Sequence, residues 1–226
     1  MGRAERGVGD DIPIPAAVQR DACRVKPSSS IVYVVDDDVS VREALASLIG
    51  SVALNVECFA SPQEFLRRRN RDGPSCLVLD VRMPGLSGLD LQRELARMGQ
   101  AIPIIFISAH GDISMAVRAM KAGAVEFLAK PFRDEDLLDA IRQALDRDQA
   151  ARTRHAELAG VTSRYAQLTT RQRQIAAKIV EGRLNKQIAA ELELSEHTIK
   201  IHRRRIMEKM GAANVASLVH LIEQLD

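Results

Sequence analysis

Residues 31–38, with the sequence IVYVVDDD, decide the fold, because five apolar residues lead directly into three carboxylates. An uninterrupted, mostly β-branched apolar run is typical of a strand that is buried on both faces of a parallel sheet. Apolar residues such as Val41, Leu45 and Leu48 then recur at helical spacing up to about residue 49, and Ser40 is placed to cap that helix. The segment therefore predicts a strand followed by an amphipathic helix.

The same alternation of strand and helix signals continues up to about residue 146. Further strands are predicted at 52–59, 76–79, 102–107 and 125–128, and further helices at about 63–70, 88–98, 112–122 and 134–145. Alternating units of this kind favour an α/β fold, a doubly wound five-stranded parallel sheet with helices on both faces.

Strand signals end after Leu168, and the remaining sequence predicts four helices, at about 170–181, 185–192, 196–209 and 214–224. Gly182 is placed to end the first of them, and Asn185 and Ser195 are placed to cap the next two. The charged, alanine-rich stretch before them is expected to be helical in part and interrupted at Gly160. The predicted layout is a disordered tail at 1–29, an α/β domain at 30–146, a linker at 147–167 and an all-α helix-turn-helix domain at 168–226.

Composition excludes several classes of protein. Apolar residues make up 46% of the chain, enough for a sizeable core, and a formal net charge of +2 is too small to indicate a partner by itself. Aromatic residues make up only 3%, which disfavours a single-strand nucleic-acid binder. The three cysteines form no CxxC pair. No apolar run approaches the ~18 residues of a membrane helix and no signal peptide is evident, so we expect a cytoplasmic protein without membrane contact.

Polar residues follow the predicted strands at the edge where an open parallel sheet binds its ligands. They are Asp36, Asp37, Asp80, Ser108 and Lys130. Crowded carboxylates repel each other unless a cation is present, and an oxygen-rich site of this kind suits Mg²⁺. A divalent ion would screen an incoming phosphoryl group, Lys130 could pair with the charge created, and the Ser108 hydroxyl could donate to a phosphate oxygen.

Four segments carry a resemblance to the receiver domain of two-component signalling, VVDDD at 34–38, LVLDVRMPG at 77–85, FISAH at 106–110 and FLAKPF at 127–132. The resemblance extends over 31–146 and implies a flavodoxin-like receiver that is phosphorylated by a sensor histidine kinase. It implies that Asp80 is the phosphoacceptor. It also implies that Asp36, Asp37, Asp80 and the backbone carbonyl of Arg82 hold Mg²⁺.

The same resemblance assigns the remaining pocket residues. Lys130 corresponds to the invariant lysine of the family, and the peptide before Pro131 is expected to be cis. Ser108 corresponds to the switch hydroxyl and Phe127 to the aromatic residue that moves with it. Thr is commoner than Ser at the first position, and Tyr is common at the second.

A haloacid-dehalogenase enzyme is the competing interpretation of the first strand. Four apolar residues followed by Asp-x-Asp also fit that pattern, with Asp36 as nucleophile and Asp38 as acid/base. Against it, no acid pair follows a strand after Lys130, and residues 80–84 remain unexplained.

The predicted third helix of the C-terminal domain is basic. Five cations, Lys200, Arg203, Arg204, Arg205 and Lys209, stand against two glutamates. A helix of this kind after a tight turn is suited to the DNA major groove.

The segments LTTRQRQI at 168–175 and EGRLNKQIAAELELSEHTIKIHRRRIMEKMGA at 181–212 resemble the LuxR-type helix-turn-helix of NarL and FixJ regulators. That resemblance implies base contacts from Lys200, Ile201 and Arg204. It implies phosphate-side contacts from Asn185, Lys186, Thr198, Arg203, Arg205 and Lys209. One departure is Gln172, where the family usually has Glu.

The two resemblances together imply a phosphorylation-dependent transcription regulator that catalyses only its own phosphorylation and dephosphorylation. Its expected partners are a sensor histidine kinase, double-stranded promoter DNA and, after phosphorylation, a second copy of the chain. RNA polymerase is a further partner that this function allows. A receiver used only as a dimerisation platform, with constitutive DNA binding, is the competing class.

Overall fold

The computed structural model describes residues 30–69, 72–109 and 113–225, so the predicted tail at 1–29 lies outside the described residues. The N-terminal part alternates strands and helices: β1 (Ile31–Val35), α1 (Val39–Ser51), β2 (Asn55–Phe59), α2 (Pro62–Leu66), β3 (Ser75–Asp80), α3 (Gly88–Arg97), β4 (Ile104–Ser108), α4 (Ile113–Lys121) and β5 (Glu126–Ala129). Helices follow: α5 (Asp134–Ala166), α6 (Thr170–Val180), α7 (Asn185–Glu191), α8 (Glu196–Met210) and α9 (Val215–Glu223).

The five strands form one parallel sheet in the order β2-β1-β3-β4-β5, which confirms the predicted fold class. Alternate residues of β1 enter different cores: Tyr33 packs with α2, α3 and α4 on one face, and Val34 packs with α1 and α5 on the other. Both faces are therefore covered, which explains why the central strands are continuous apolar runs.

Two local predictions near the first helix are wrong. Asp38, not Ser40, caps α1, because its carboxylate accepts hydrogen bonds from the backbone N–H of Ser40 and Val41 at 2.8 and 3.4 Å. The second strand begins at Asn55 and not at residue 52. Val52 still closes the last turn of α1, and Ala53 has a left-handed φ of 59°, so this stretch cannot be extended.

Helix α5 is much longer than the sequence predicted. It runs for 33 residues without interruption, past the predicted end at residue 145 and through Gly160, so the predicted linker is helical up to Ala166. Gly costs an exposed helix only about 1 kcal/mol relative to Ala, and the alanine-rich neighbours offset that cost. No helix in the described ranges, α5 included, is both long and apolar enough to cross a membrane.

Helices α6 to α9 pack around a separate core that includes Ile175, Ile188, Ile199 and Leu218. Gly182 follows α6 with a left-handed φ of 76°, and the Ser195 hydroxyl accepts from the backbone N–H of Thr198, as predicted for a helix end and a helix cap.

The predicted cap of α7 is wrong. Asn185 lies inside the helix, and the Gln187 side chain accepts from the Leu184 backbone N–H at 2.8 Å. The Asn185 amide oxygen instead accepts from Arg203 on α8 at 2.8 Å, because the two helices of the motif cross at this point.

A buried carboxylate fastens α5 to the sheet. Asp148 is only 6% exposed, and its Oδ2 accepts from the Ser75 backbone N–H at 2.9 Å and from Arg152 Nε at 2.7 Å. Ser75 is the first residue of β3, so this contact joins α5 to the strand that ends at Asp80.

We predict that Asp148→Ala lowers the free energy of unfolding by about 1–3 kcal/mol, because the buried Ser75 N–H would lose its acceptor. Chemical denaturation of the full chain measures the change. The control is Asp146→Ala on the exposed side of the same helix, with an expected effect within about 0.5 kcal/mol. Equal losses in the two variants would contradict the assignment.

Candidate functional site

Three charged side chains from three strand ends meet at the carboxyl edge of the sheet. Lys130 Nζ donates to Asp36 Oδ2 at 2.8 Å and to Asp80 Oδ1 at 3.0 Å. Asp36 and Asp80 are 1% and 7% exposed, whereas Lys130 is partly exposed. The structure therefore brings together three of the residues that the sequence singled out.

Backbone groups hold the second oxygen of each acid. Asp36 Oδ1 accepts from the Asp38 N–H at 2.9 Å, and Asp80 Oδ2 accepts from the Arg82 N–H at 2.7 Å. These contacts form because each acid stands where its strand turns into a loop. They orient each carboxylate toward the single ammonium group.

Folding raises the pKa of both Asp80 and Lys130, which disfavours the charged form of the acid and favours that of the lysine. Burial raises the pKa of the Asp80 carboxyl above its usual value, against hydrogen bonds from Lys130 and Arg82 that favour the ionised form. Burial acts to lower the pKa of Lys130, but its hydrogen bonds to Asp36 and Asp80 outweigh that effect and raise it. Lys130 therefore holds its proton more tightly than a free lysine, and ionisation of Asp80 costs more than that of a free carboxyl.

Two residues that the sequence did not single out shape this edge. An added Cβ at Gly88 would lie 2.3 Å from the Asp80 backbone oxygen, so only glycine allows α3 to start this close to the end of β3. Arg42 on α1 donates to the Asp36 backbone oxygen at 2.7 Å and fixes the start of the loop. For Gly88, the sequence signal was a glycine directly after Ser87, the residue that caps α3.

Ser108 and Phe127 lie on the neighbouring strands β4 and β5. Ser108 is buried at the end of β4, and its backbone oxygen accepts from the Lys130 N–H at 2.8 Å. Phe127 is half-buried beside Phe106, with ring centroids 6.3 Å apart. The Lys130–Pro131 peptide is cis, as the resemblance implied.

Asp37 and Arg82 are both exposed at the same edge. Within the described ranges, no three His, Cys, Asp or Glu side chains converge closely enough to hold a metal ion. Asp36 and Asp80 therefore share Lys130, and the Asp37 side chain is not gathered with them.

The predicted base-reading residues lie on the outer face of α8. Lys200 is exposed, Ile201 is 41% exposed, and the Arg204 side chain is 83% exposed while it pairs with Glu208 at 2.9 Å. Ile199 and Ile206, on the opposite side of the helix, are fully buried. The outer face of α8 is therefore basic, and its inner face is apolar and buried.

The predicted phosphate-side residues fall into two groups. Lys186 and Arg205 are exposed, whereas the other four make contacts within the domain. Arg203 donates to Asn185, and Thr198 is hydrogen bonded to the Ser195 hydroxyl.

Lys209 is tied to the domain by two contacts of its ammonium group. It donates to the Gln167 backbone oxygen and to the Gln172 side chain, both at 2.9 Å. Gln172 is buried, so the departure from the usual Glu places a neutral acceptor at this ammonium.

The fold and the two surfaces define a receiver sheet joined to a helix-turn-helix, and comparisons with known proteins give the same result. Residues 32–142 match the response regulator receiver domain family, and residues 166–222 match the LuxR family of bacterial regulatory proteins. The chain is 50% identical over 197 residues to the response regulator protein TodT of Pseudomonas putida, covering 87% of each chain.

Two solved structures are similar over most of the chain. A low-resolution structure of the response regulator StyR has 47% identity and a TM-score of 0.80, covering 86% of this chain and 98% of that one. Full-length FixJ from B. japonicum has 36% identity and a TM-score of 0.53, covering 87% and 97%. This chain therefore belongs to the two-component response regulators of the FixJ and TodT type. A receiver combined with a LuxR-type DNA-binding domain makes it a transcription regulator.

We predict that Asp80→Asn raises the thermal stability of the receiver at neutral pH. A carboxyl whose pKa is raised by folding costs stability when the pH lies above that folded pKa, and Asn removes this cost while it still accepts from Lys130. A gain of about 1 kcal/mol would raise Tm by roughly 4–8 °C. The gain should vanish below the ordinary pKa of 3.8, where the acid is protonated in both states.

Thermal unfolding of the two proteins at several pH values measures this effect. Asp37→Asn, at an exposed carboxylate, serves as control and should change stability by less than about 0.5 kcal/mol. A lower Tm for Asp80→Asn at neutral pH would show that the ionised carboxylate stabilises the fold.

Proposed function

We propose that this protein is a transcription regulator controlled by phosphorylation of Asp80. A carboxylate oxygen of Asp80 attacks the phosphorus atom of a phosphohistidine on a sensor kinase, so that a P–O bond forms as the P–N bond breaks. The observation that carries the proposal is the shared contact of Lys130 Nζ with Asp36 and Asp80 at 2.8 and 3.0 Å. Beyond this transfer and the later hydrolysis of the acyl phosphate, we propose no enzymatic activity.

Lys130 and Ser108 have complementary roles at this site. The ammonium group lies beside the attacking oxygen, where it would pair with a phosphoryl oxygen through a charge-assisted hydrogen bond. The Ser108 hydroxyl, at the end of the next strand, would donate to another phosphoryl oxygen. Both groups stabilise negative charge at a buried position, where electrostatic contacts are strong.

The residues at this edge fit Mg²⁺ by their donor chemistry, because hard oxygen ligands with room for water are what this ion prefers. The Asp36 and Asp80 carboxylates and the Arg82 backbone carbonyl would hold it, and the exposed Asp37 carboxylate would join them only by turning toward Asp36 and Asp80. When bound, the ion neutralises charge on the phosphoryl group. The raised pKa of Asp80 is the supporting observation, since this acid gains from a nearby cation.

The proposed response begins at Ser108 and Phe127 and reaches the surface of α4, β5 and α5, within residues 112–146. A phosphoryl group would draw Ser108 inward and let Phe127 follow into the vacated space. Such a switch is a population shift between two packings. The altered face would pair two chains, and the paired α8 helices would bind two half-sites of promoter DNA beside RNA polymerase.

We predict that the wild-type chain takes up label from radioactive acetyl phosphate in the presence of Mg²⁺ and that Asp80→Asn does not. The amide cannot form the acyl phosphate. The control is Asp139→Asn, at an exposed carboxylate of α5, which should label like the wild type. Full labelling of Asp80→Asn would rule out Asp80 as the acceptor.

We predict different effects from the two kinds of cation on α8. Lys200→Ala and Arg204→Ala should each reduce discrimination between DNA sequences by about 1–3 kcal/mol. Arg205→Ala should weaken binding to all sequences alike and reduce the slope of log affinity against log salt by about 1. Binding to sites selected from random duplex DNA, measured at several salt concentrations, tests this. Identical behaviour of the three variants would contradict the assignment of base and phosphate contacts.

A further inference from the structure

A cleft of about 470 Å³ opens between α4 and the loop that follows β3. Much of its lining is apolar. Val81 and Met83 are only 2% and 9% exposed, and Leu89 and Met115 are partly buried against the same core. A concave site of this size with an apolar lining falls within the range of small-molecule sites in proteins. Its methionines are flexible and can adapt to the shape of a ligand.

The charged residues of this cleft all have the same sign. Arg82 of the loop, Arg93 of α3 and Arg118 of α4 line it, and none of the described residues that line it is acidic. Arg93 pairs at 2.7 Å with Asp90, which lies outside the lining. Arg82 and Arg118 are exposed, and neither forms an ion pair with another residue in the described ranges. Cations that converge from three elements in this way attract an anion.

Hydrogen bonds hold both walls of the cleft in place. The buried Gln92 side chain of α3 donates through Nε2 to the backbone oxygens of Ala119 and Ala122, at 3.3 and 3.2 Å. Ala119 is itself buried, so this end of α4 is anchored on α3. On the opposite wall, the Gly88 N–H donates to the Val81 oxygen at 3.0 Å and closes the loop onto the start of α3. The chain itself therefore sets the shape of the cleft, as is usual for small-molecule sites.

The cleft lies directly beside the proposed phosphoacceptor in the sequence. Its lining begins at Val81, the residue after Asp80, and the Val81 N–H donates to the Ile107 oxygen of β4 at 3.1 Å. The other wall, α4, belongs to the face that the proposed switch alters. A ligand that spans the cleft would therefore contact an element on each side of that change.

We propose that this cleft binds an amphipathic organic anion, a carboxylate carried by an apolar chain. The carboxylate lies between Arg82 and Arg118, because the planar fork of an arginine matches the two oxygens of a carboxylate. The apolar chain lies against Met83 and Met115, where it leaves water.

The site does not depend on the proposed function, but its link to Asp80 does. The ligand bridges the loop and α4 in the packing in which Lys130 holds the Asp80 carboxylate. It therefore opposes the switch, and by linkage phosphorylation weakens its binding by the same factor.

Titration of the isotope-labelled full chain with decanoate, followed by nuclear magnetic resonance, tests the site. We expect saturable shifts of amides within 81–93 and 113–121, with a Kd of about 1 mM or tighter, which ordinary ligand efficiency gives for a molecule of this size. Acetate lacks the chain and decylamine reverses the charge, so both should bind at least about tenfold more weakly. Shifts that do not saturate, shifts confined to other regions, or equal binding of decylamine would overturn the proposal.

Two variants of α4 separate the cleft from net charge. Arg118→Gln should weaken decanoate binding about fivefold, because one charge-assisted contact is lost. Lys121→Gln is the matched control: it removes the same charge from an exposed position of the same helix outside the cleft, and screening should keep its effect within about twofold. Equal affinities of the two variants would contradict the assignment, and their amide spectra show whether both are folded.

Beryllofluoride with Mg²⁺ tests the link to Asp80. It should weaken decanoate binding by the wild type about fivefold and leave that of Asp80→Asn unchanged. Unchanged binding by a wild type that beryllofluoride does pair into dimers would overturn the link. If beryllofluoride does not pair the chains, the proposed function fails, while the titrations of the wild type and of the α4 variants still decide on the site.

Discussion

One ammonium group holds the carboxyl edge of the sheet together. Asp36 and Asp80 end adjacent strands, so their carboxylates are forced close and would repel each other without a cation. Lys130 follows β5, which is separated from β3 by β4, and its long side chain reaches across that strand to both acids. The same group that stabilises the unphosphorylated edge is therefore in place for the charge of a phosphoryl group.

Strand β3 ends at Asp80, and its first residue contacts α5, the helix that continues into the second domain. Asp148 on α5 contacts Ser75, the first residue of β3, and the same helix continues to Val161 in the second core. A buried carboxylate is costly unless it is hydrogen bonded, which Asp148 achieves with one backbone and one arginine donor. The receiver sheet and the second domain are thus joined by one continuous helix, and this hydrogen bond fixes that helix to β3.

Sequence reasoning predicted the sheet and a cluster of Asp36, Asp37, Asp80 and Lys130, because strand ends of a parallel sheet share one edge and apolar runs mark the strands. The structure brings Asp36 and Asp80 to Lys130 but leaves the Asp37 side chain exposed. Sequence reasoning could not predict contacts between residues that lie far apart in the sequence. Asp148 lies among other charged residues, and its burial depends on a neighbour 73 positions away. The pattern also does not decide between Asp38 and Ser40 as the cap of α1, or whether α5 continues through Gly160. Both outcomes depend on small differences in local energy.

Locating the acyl phosphate chemically is the most direct test of the account. Borohydride reduces an aspartyl phosphate to an alcohol and releases phosphate, so tandem mass spectrometry of the protein treated with acetyl phosphate, Mg²⁺ and borohydride locates the acceptor. The account predicts a reduced side chain at Asp80 alone. Reduction at Asp36, or at an acid that makes no contact with Lys130, would contradict it.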